Sequence, residues 1–221
     1  MFQMFQKVNR IVYAVGRITP TGVSLLGTAC LLKQPGRLAT VAHVPGPDDK
    51  NLVVVINKLT SLDDFQDTSD TQVQTLPATI ESIDPVVDLC ILATSTDLCS
   101  NLEIGSVDPL SIGEAVHIFG YPHADHGRLV LTYQHAEVGA RVLISSQEVK
   151  SKHIVLNVQA RPGQSGSPVV AGTPPKLAAL LVGSYAPGGG SGISLGGVDP
   201  HTLHQTTHAV SAHYLIEMMP K

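Results

Sequence analysis

Residues 163–170 read GQSGSPVV, with Ser165 placed between Gly163 and Gly166 and an apolar run starting directly behind it. A serine hydroxyl is a poor nucleophile until a base removes its proton. The usual base is histidine, held in one tautomer by a carboxylate. The 221-residue chain has ten histidines, so context must select one. His43 closes the apolar run LATVAHV and precedes VPGPDD. Asp88 lies in DPVVDLCIL, an acid inside a nearly continuous apolar stretch. A buried carboxylate is costly unless it is paired or well hydrogen-bonded, and an imidazole N–H would satisfy it. Gly163 frees the backbone to turn, so that the N–H groups of Gly163 and Ser165 could converge on a developing oxyanion. Each residue also has a plainer reading. His43 can be a structural imidazole at a strand end, Asp88 an acceptor for backbone N–H groups, and Ser165 an ordinary loop serine. The order along the chain, His43 then Asp88 then Ser165, is not that of an α/β-hydrolase, whose serine comes first and whose parallel strands alternate with helices.

The elements that must position these side chains read as strands. RIVYAVGRI (10–18), VSLLGTACLL (23–32), RLATVAHV (37–44) and NLVVVINKL (51–59) are short, apolar and rich in β-branched residues. LPATIESID (76–84) and VVDLCILAT (86–94) continue the series. After a looser stretch come EAVHIFGY (114–121), RLVLTYQHAEVGARVLIS (128–145), HIVLNVQA (153–160), SPVVAG and KLAALLVGSY. With 20 glycines and 15 prolines in the chain, and only 14% charged residues, many turns and no long solvated helices are expected. The pattern predicts an all-β chain of barrels or sandwiches. Only SAHYLIEMM (211–219) reads as a helix, with Ser211 as its cap and Pro220 as its stop. DDFQDTSDTQ (63–72) reads as an exposed acidic loop and APGGGSGISLGG (186–197) as a glycine-rich one.

Bulk properties exclude several function classes. A net charge of −4 argues against nucleic acid and against an anionic membrane surface. No apolar run approaches a membrane span, and MFQMFQKVNR has no secretory h-region. Cys30, Cys90 and Cys99 have no metal-type spacing, and an odd count disfavours a disulfide framework. A reducing, cytoplasmic setting is expected. Cys90, in an apolar context, reads as a buried inert thiol. The histidines of HADH (123–126) and HTLHQTTH (201–208) lack accompanying cysteines or clustered carboxylates. They read as loop histidines, so no metal or other cofactor is expected.

Taken together, these segments resemble the chymotrypsin-fold serine proteases, in particular the bacterial HtrA-like group. GTACLLKQPGRLATVAHV resembles that group's histidine segment, and ESIDPVVDLCIL its aspartate segment. LSIGEAVHIFGYP resembles the strand that opens the second barrel, VLNVQARPGQSGSPVV the serine loop, and THAVSAHYLIEMM the last strand and helix. The resemblance implies two antiparallel six-stranded β-barrels and a C-terminal helix. Residues 1–95 would form the first barrel with His43 and Asp88, 96–110 a linker, and 111–221 the second barrel with Ser165. It further implies an endopeptidase acting on protein or peptide substrates through a His43–Asp88–Ser165 triad and an acyl-enzyme. The oxyanion hole would be Gly163 and Ser165. Gln159 and Ala160 would reach the base of the primary pocket, and Ser184, Tyr185 and Ala186 would form its wall. No aspartate falls at the pocket floor, so a small or medium apolar side chain is expected there rather than Lys or Arg.

Three departures from the resemblance matter. Val44 stands where digestive trypsins have a disulfide-forming cysteine. Gln164 replaces the acid that pairs with a newly cut N-terminus, so activation by trimming is not expected. Ser167 replaces a glycine. No PDZ-like segment follows the second barrel. The alternative reading is a latent or non-catalytic module, switched on by another domain or partner. A third, a metal-dependent hydrolase using the histidine clusters, has less support. Nothing in the sequence fixes an oligomeric state.

Overall fold

The structure is a computed structural model that describes residues 8–185 and 206–219. The first barrel consists of β1 (Val12–Thr19), β2 (Gly22–Leu31), β3 (Arg37–Thr40), β4 (Leu52–Ile56), β5 (Gln74–Asp84) and β6 (Leu89–Thr94). These close in the order β1-β2-β3-β6-β5-β4, with β4 returning to β1 through antiparallel pairs from Ala14–Val55 to Arg17–Leu52. The second half adds β7 (Glu103–Ile104), β8 (Ala115–Gly120), β9 (Thr132–Ser146), β10 (Val149–Leu156), β11 (Pro168–Ala171), β12 (Lys176–Tyr185) and β13 (Thr206–Ser211). Six of these strands run β11-β8-β9-β10-β13-β12, and pairing of β12 with β11 closes the second barrel. The short β7 adds to β12 as a parallel seventh strand. The chain is therefore all-β, with two six-stranded antiparallel barrels.

The strands read as near-continuous apolar runs because many are covered on both faces. In β1, Tyr13 and Val15 point into one core with Leu31, Leu52 and Val54. Val12 and Ala14, facing the other way, pack against Phe119 and Tyr121 of the second half. In β12 and β13, Leu181 and Ala209 fill the second barrel with Ile118 and Ile154. Leu180 and Val210 turn outward into the first core. Period-2 alternation thus disappears where barrel meets barrel.

The C-terminal helix is shorter than the sequence predicts. Ser211 ends β13, paired with Ala179, and does not cap a helix. Its hydroxyl accepts the Val107 N–H at 3.1 Å and bonds His213 Nδ1 at 2.7 Å. The helix α1 (Tyr214–Met218) follows, with Leu215 buried against the first core. Strand pairing and two side-chain partners outweigh the capping preference of a serine. Among the described residues no helix is long and apolar enough to cross a membrane, and all three cysteines are free thiols.

β10 carries a histidine that bears on stability. His153 is 5% exposed. Its Nε2 meets Ser151 Oγ at 2.9 Å, whereas its Nδ1 has no hydrogen-bond partner among the described residues. Burial, reinforced by His208 and opposed by Asp88, pushes its pKa down to about 4 from 6.5. Below 6.5 the unfolded chain binds a proton that the folded chain refuses. Stability is therefore full above that value, falls as pH drops toward 4, and levels off below it. Denaturant titrations across this window are expected to show that slope, and His153→Leu to make it shallower.

Candidate active site

The first barrel positions an imidazole and a carboxylate. β3 ends at Thr40, and the chain turns through His43, closed by Val44 N–H to Val41 O (3.1 Å) and Gly46 N–H to Ala42 O (3.1 Å). β3 pairs with β6 so that Thr40 faces Cys90, which brings the residue just before β6, Asp88, beside His43. Asp88 lies outside the strand, in a turn, with φ +62°. Aspartate tolerates that left-handed conformation better than most residues. Its Oδ1 accepts the His43 backbone N–H at 3.0 Å, and its Oδ2 meets His43 Nδ1 at 2.8 Å. A carboxylate only accepts, so Nδ1 carries the proton and Nε2 keeps its lone pair. The imidazole is half exposed, with 48% of its side chain accessible against 25% for Asp88. In β6, Cys90 is buried; burial and the nearby Asp88 charge push its thiol up to about 12.

The second half positions the serine. Gly163 and Gly166 have φ of +86° and +85°, which gives the turn around Ser165 its left-handed corners. The turn is fastened by Gln164 N–H to Arg161 O (3.1 Å), Ser167 N–H to Gln164 O (2.9 Å) and Gly166 N–H to Leu181 O (2.7 Å). From the first barrel, Thr28 N–H donates to Ser165 O (2.8 Å). Among the described residues no hydrogen bond takes the N–H of Gly163 or of Ser165. The Ser165 hydroxyl donates to Val182 O at 3.0 Å. Val182 is the extra residue of a bulge in β12, between Leu181 and Gly183. That bulge aims its carbonyl at the serine, so the hydroxyl proton faces Val182 rather than His43. Rotation about the serine χ1 is what would redirect it.

Two substitutions relative to the resembled family have local compensation. Gln164 is fully buried. Its Nε2 donates to Gln134 Oε1 at 2.7 Å and its Oε1 accepts the Arg161 N–H at 2.8 Å. Two neutral amides thus satisfy each other beside the serine turn. Ser167 is also fully buried, and a Cβ on Gly120 would lie 1.9 Å from its Oγ. Gly120→Ala is therefore expected to cost about 1–3 kcal/mol by overpacking. Adding Ser167→Gly should recover much of it, and a double-mutant cycle in denaturant measures the coupling.

The residues expected to bind substrate are only partly gathered. Gln159 is half-buried. Ala160 is 5% exposed, and its N–H donates to Thr207 Oγ1 at 2.8 Å. Ser184 and Tyr185 end β12, paired with Thr207 and Thr206. Ala186, the glycine-rich stretch 186–197 and residues 201–205 lie outside the described residues. His126 ends a short 3-10 turn (Ala124–His126), and no group of three metal-binding side chains occurs among the described residues. Sequence reasoning missed Thr28, Gln134 and Val182. Thr28 Oγ1 donates to Gly163 O at 3.0 Å and accepts the Tyr121 N–H at 3.2 Å. A threonine inside the apolar run of β2 was the one available signal.

Comparison with known proteins gives three findings. Residues 27–174, more than half the chain, match the model of the trypsin-like peptidase domain. No curated protein sequence matches significantly. Solved structures do match. The active form of the Rv3671c protease from M. tuberculosis is 19% identical, at a TM-score of 0.67 over 96% of this chain and 80% of that one. The HtrA-type protease AlgW with a decapeptide is 15% identical, at a TM-score of 0.68 over 96% and 63%. The MamO protease domain from Magnetospirillum magneticum is 14% identical, at a TM-score of 0.66 over 97% and 98%. At such identities these structures speak to fold, whereas the domain match speaks to kinship. With the two barrels and the match across 27–174, the chain belongs to the trypsin-like peptidase domain family and is a serine protease by that membership.

Proposed function

We propose that this protein hydrolyses peptide bonds in protein substrates through His43, Asp88 and Ser165 and an acyl-enzyme intermediate. The observation that carries the reading is the two-point hold of Asp88 on His43, through Oδ1 to the backbone N–H and Oδ2 to Nδ1. That hold fixes the tautomer in which Nε2 is a base. Ser165 attacks the carbonyl carbon while Nε2 takes its proton. The N–H groups of Gly163 and Ser165 stabilise the oxyanion. The imidazolium then protonates the leaving amine, and water repeats the sequence on the ester. An extended substrate adds along the Gly183–Tyr185 end of β12, with Gln159 and Ala160 near the base of a pocket for a small or medium apolar side chain. AlgW, solved with a decapeptide, has a comparable fold. Three free thiols suit a reducing compartment.

The Ser165–Val182 hydrogen bond favours a second reading, in which the resting enzyme is latent until substrate or a partner redirects the hydroxyl. A fluorophosphonate probe tests both. Labelling of wild type at Ser165, absent in Ser165→Ala, is expected. Labelling that appears only with added peptide indicates latency. Equal labelling of wild type and Ser165→Ala would refute the proposal.

A further inference from the structure

β2 carries a threonine where packing alone would accept an apolar residue. Ala29 and Leu31 of that strand face the first core. Thr28, paired with Ala14 of β1, faces the second half, as Ala14 does. Thr28 is 0% exposed. Valine has nearly the same shape and no hydroxyl to satisfy, and a buried hydroxyl is costly unless it is hydrogen-bonded. Here it is bonded twice: Oγ1 donates to Gly163 O at 3.0 Å and accepts the Tyr121 N–H at 3.2 Å. The main chain of Thr28 reaches the same neighbourhood. Its N–H donates to Ser165 O at 2.8 Å, and its carbonyl accepts the Thr40 hydroxyl at 2.7 Å. Thr40, also 0% exposed, ends β3 three residues before His43.

The serine turn has carbonyls at residues 162–165, and each has a partner. Pro162 O accepts the His123 N–H at 2.6 Å and Gln164 O the Ser167 N–H at 2.9 Å, both from within the second half. Gly163 O and Ser165 O are held from the first barrel, and Thr28 holds both. A peptide unit is planar, so a held carbonyl fixes the whole unit that follows it. Thr28 therefore fixes the units 163–164 and 165–166, on either side of the Ser165 N–H. Gly163, at φ +86°, has no Cβ to restrict it, so the direction of its N–H depends on bonds from outside the residue.

We propose that Thr28 is a positioning residue: from the barrel that carries His43 it holds the carbonyls of Gly163 and Ser165, and so sets the two oxyanion N–H groups and the serine in place relative to the imidazole. The bridge is continuous, from the strand that ends before His43 through Thr40 and Thr28 to the serine turn. Thr28 is fully buried behind that turn, so it acts through Gly163 and Ser165 rather than on substrate. The consequence for catalysis rests on the proposed function; the hold on the turn does not.

Thr28→Val removes the hydroxyl and nearly keeps the shape, whereas Thr28→Ser keeps the hydroxyl and loses a methyl group. Fluorophosphonate labelling over a range of probe concentrations separates the maximal rate from the half-saturating concentration. Thr28→Val is expected to lower the maximal rate about thirty- to a hundredfold, with half-saturation within about twofold of wild type. Thr28→Ser should label within about threefold of wild type. A second readout needs no reaction: amides of residues 163–167 are expected to exchange about tenfold faster in Thr28→Val and at the wild-type rate in Thr28→Ser, with β5 unchanged in both. If Thr28→Val does not fold, Thr40→Val cuts the same bridge one link earlier and is expected to slow labelling about tenfold. Equal losses in Thr28→Val and Thr28→Ser would show a packing role and overturn the proposal. So would unchanged exchange, a change in half-saturation alone, or wild-type labelling of the valine variant that folds. Faster exchange with no labelling of any chain, wild type included, supports the hold on the turn and counts against the protease reading.

Discussion

Asp88→Asn is expected to lower kcat/KM by about a thousand- to ten-thousand-fold while leaving the fold intact. The carboxylate accepts two hydrogen bonds from His43, one at the backbone N–H and one at Nδ1. An asparagine offers one acceptor oxygen and one N–H₂ donor in the same space. If the oxygen stays on the backbone N–H, the amide nitrogen faces Nδ1 and can only donate to it. The imidazole proton then moves to Nε2, and the base that Ser165 needs is gone. The comparison is made with a chromogenic peptide or by the rate of fluorophosphonate labelling, with circular dichroism as the control for folding. A loss of less than tenfold would mean that Asp88 is no more than a strand-end acceptor.

The second large effect concerns stability. Gly166→Ala is expected to cost more than about 3 kcal/mol and to abolish labelling. At φ +85° a Cβ would meet Thr28 O at 2.0 Å and Thr40 Oγ1 at 2.4 Å. Those two atoms are already joined, since Thr40 Oγ1 donates to Thr28 O at 2.7 Å in a fully buried setting. Neither can give way without breaking that bond or moving β2. Gly113→Ala is the control, because φ there is +83° but a Cβ would meet nothing within 4 Å. It isolates the conformational penalty, about 1–2 kcal/mol. Unfolding in denaturant gives both values, and similar costs for the two would show that the serine turn yields more easily than its packing implies.

The sequence was readable where chemistry and periodicity were local. Turn glycines around Ser165, an acid in an apolar run and a histidine at a strand end are local signals, and the strand series made an all-β chain legible. Contacts between distant segments were not. Thr28 and Gly163 are bonded across 135 positions, and nothing near either residue announces it. The placement of Asp88 in a left-handed turn was hidden because its neighbours, Val86, Val87 and Leu89, look like one strand. Ser211 was misread as a helix cap because capping is a local preference, whereas its pairing with Ala179 depends on a strand more than thirty residues upstream. The Val182 bulge was equally invisible: a bulge is a mismatch between two strands, and only the register of both reveals it.

The amide cage around Gln164 has a consequence of its own. An ionic latch can be opened by a proton, by salt, or by the absence of the partner ion. A pair of carboxamides, the buried Gln164 held at 2.7 Å to the half-buried Gln134, answers to none of these. The turn that carries Ser165 should therefore keep its shape in brine or in mild acid. On the proposed mechanism, control would fall on the orientation of one hydroxyl, now turned to Val182, rather than on assembly of the turn that carries it.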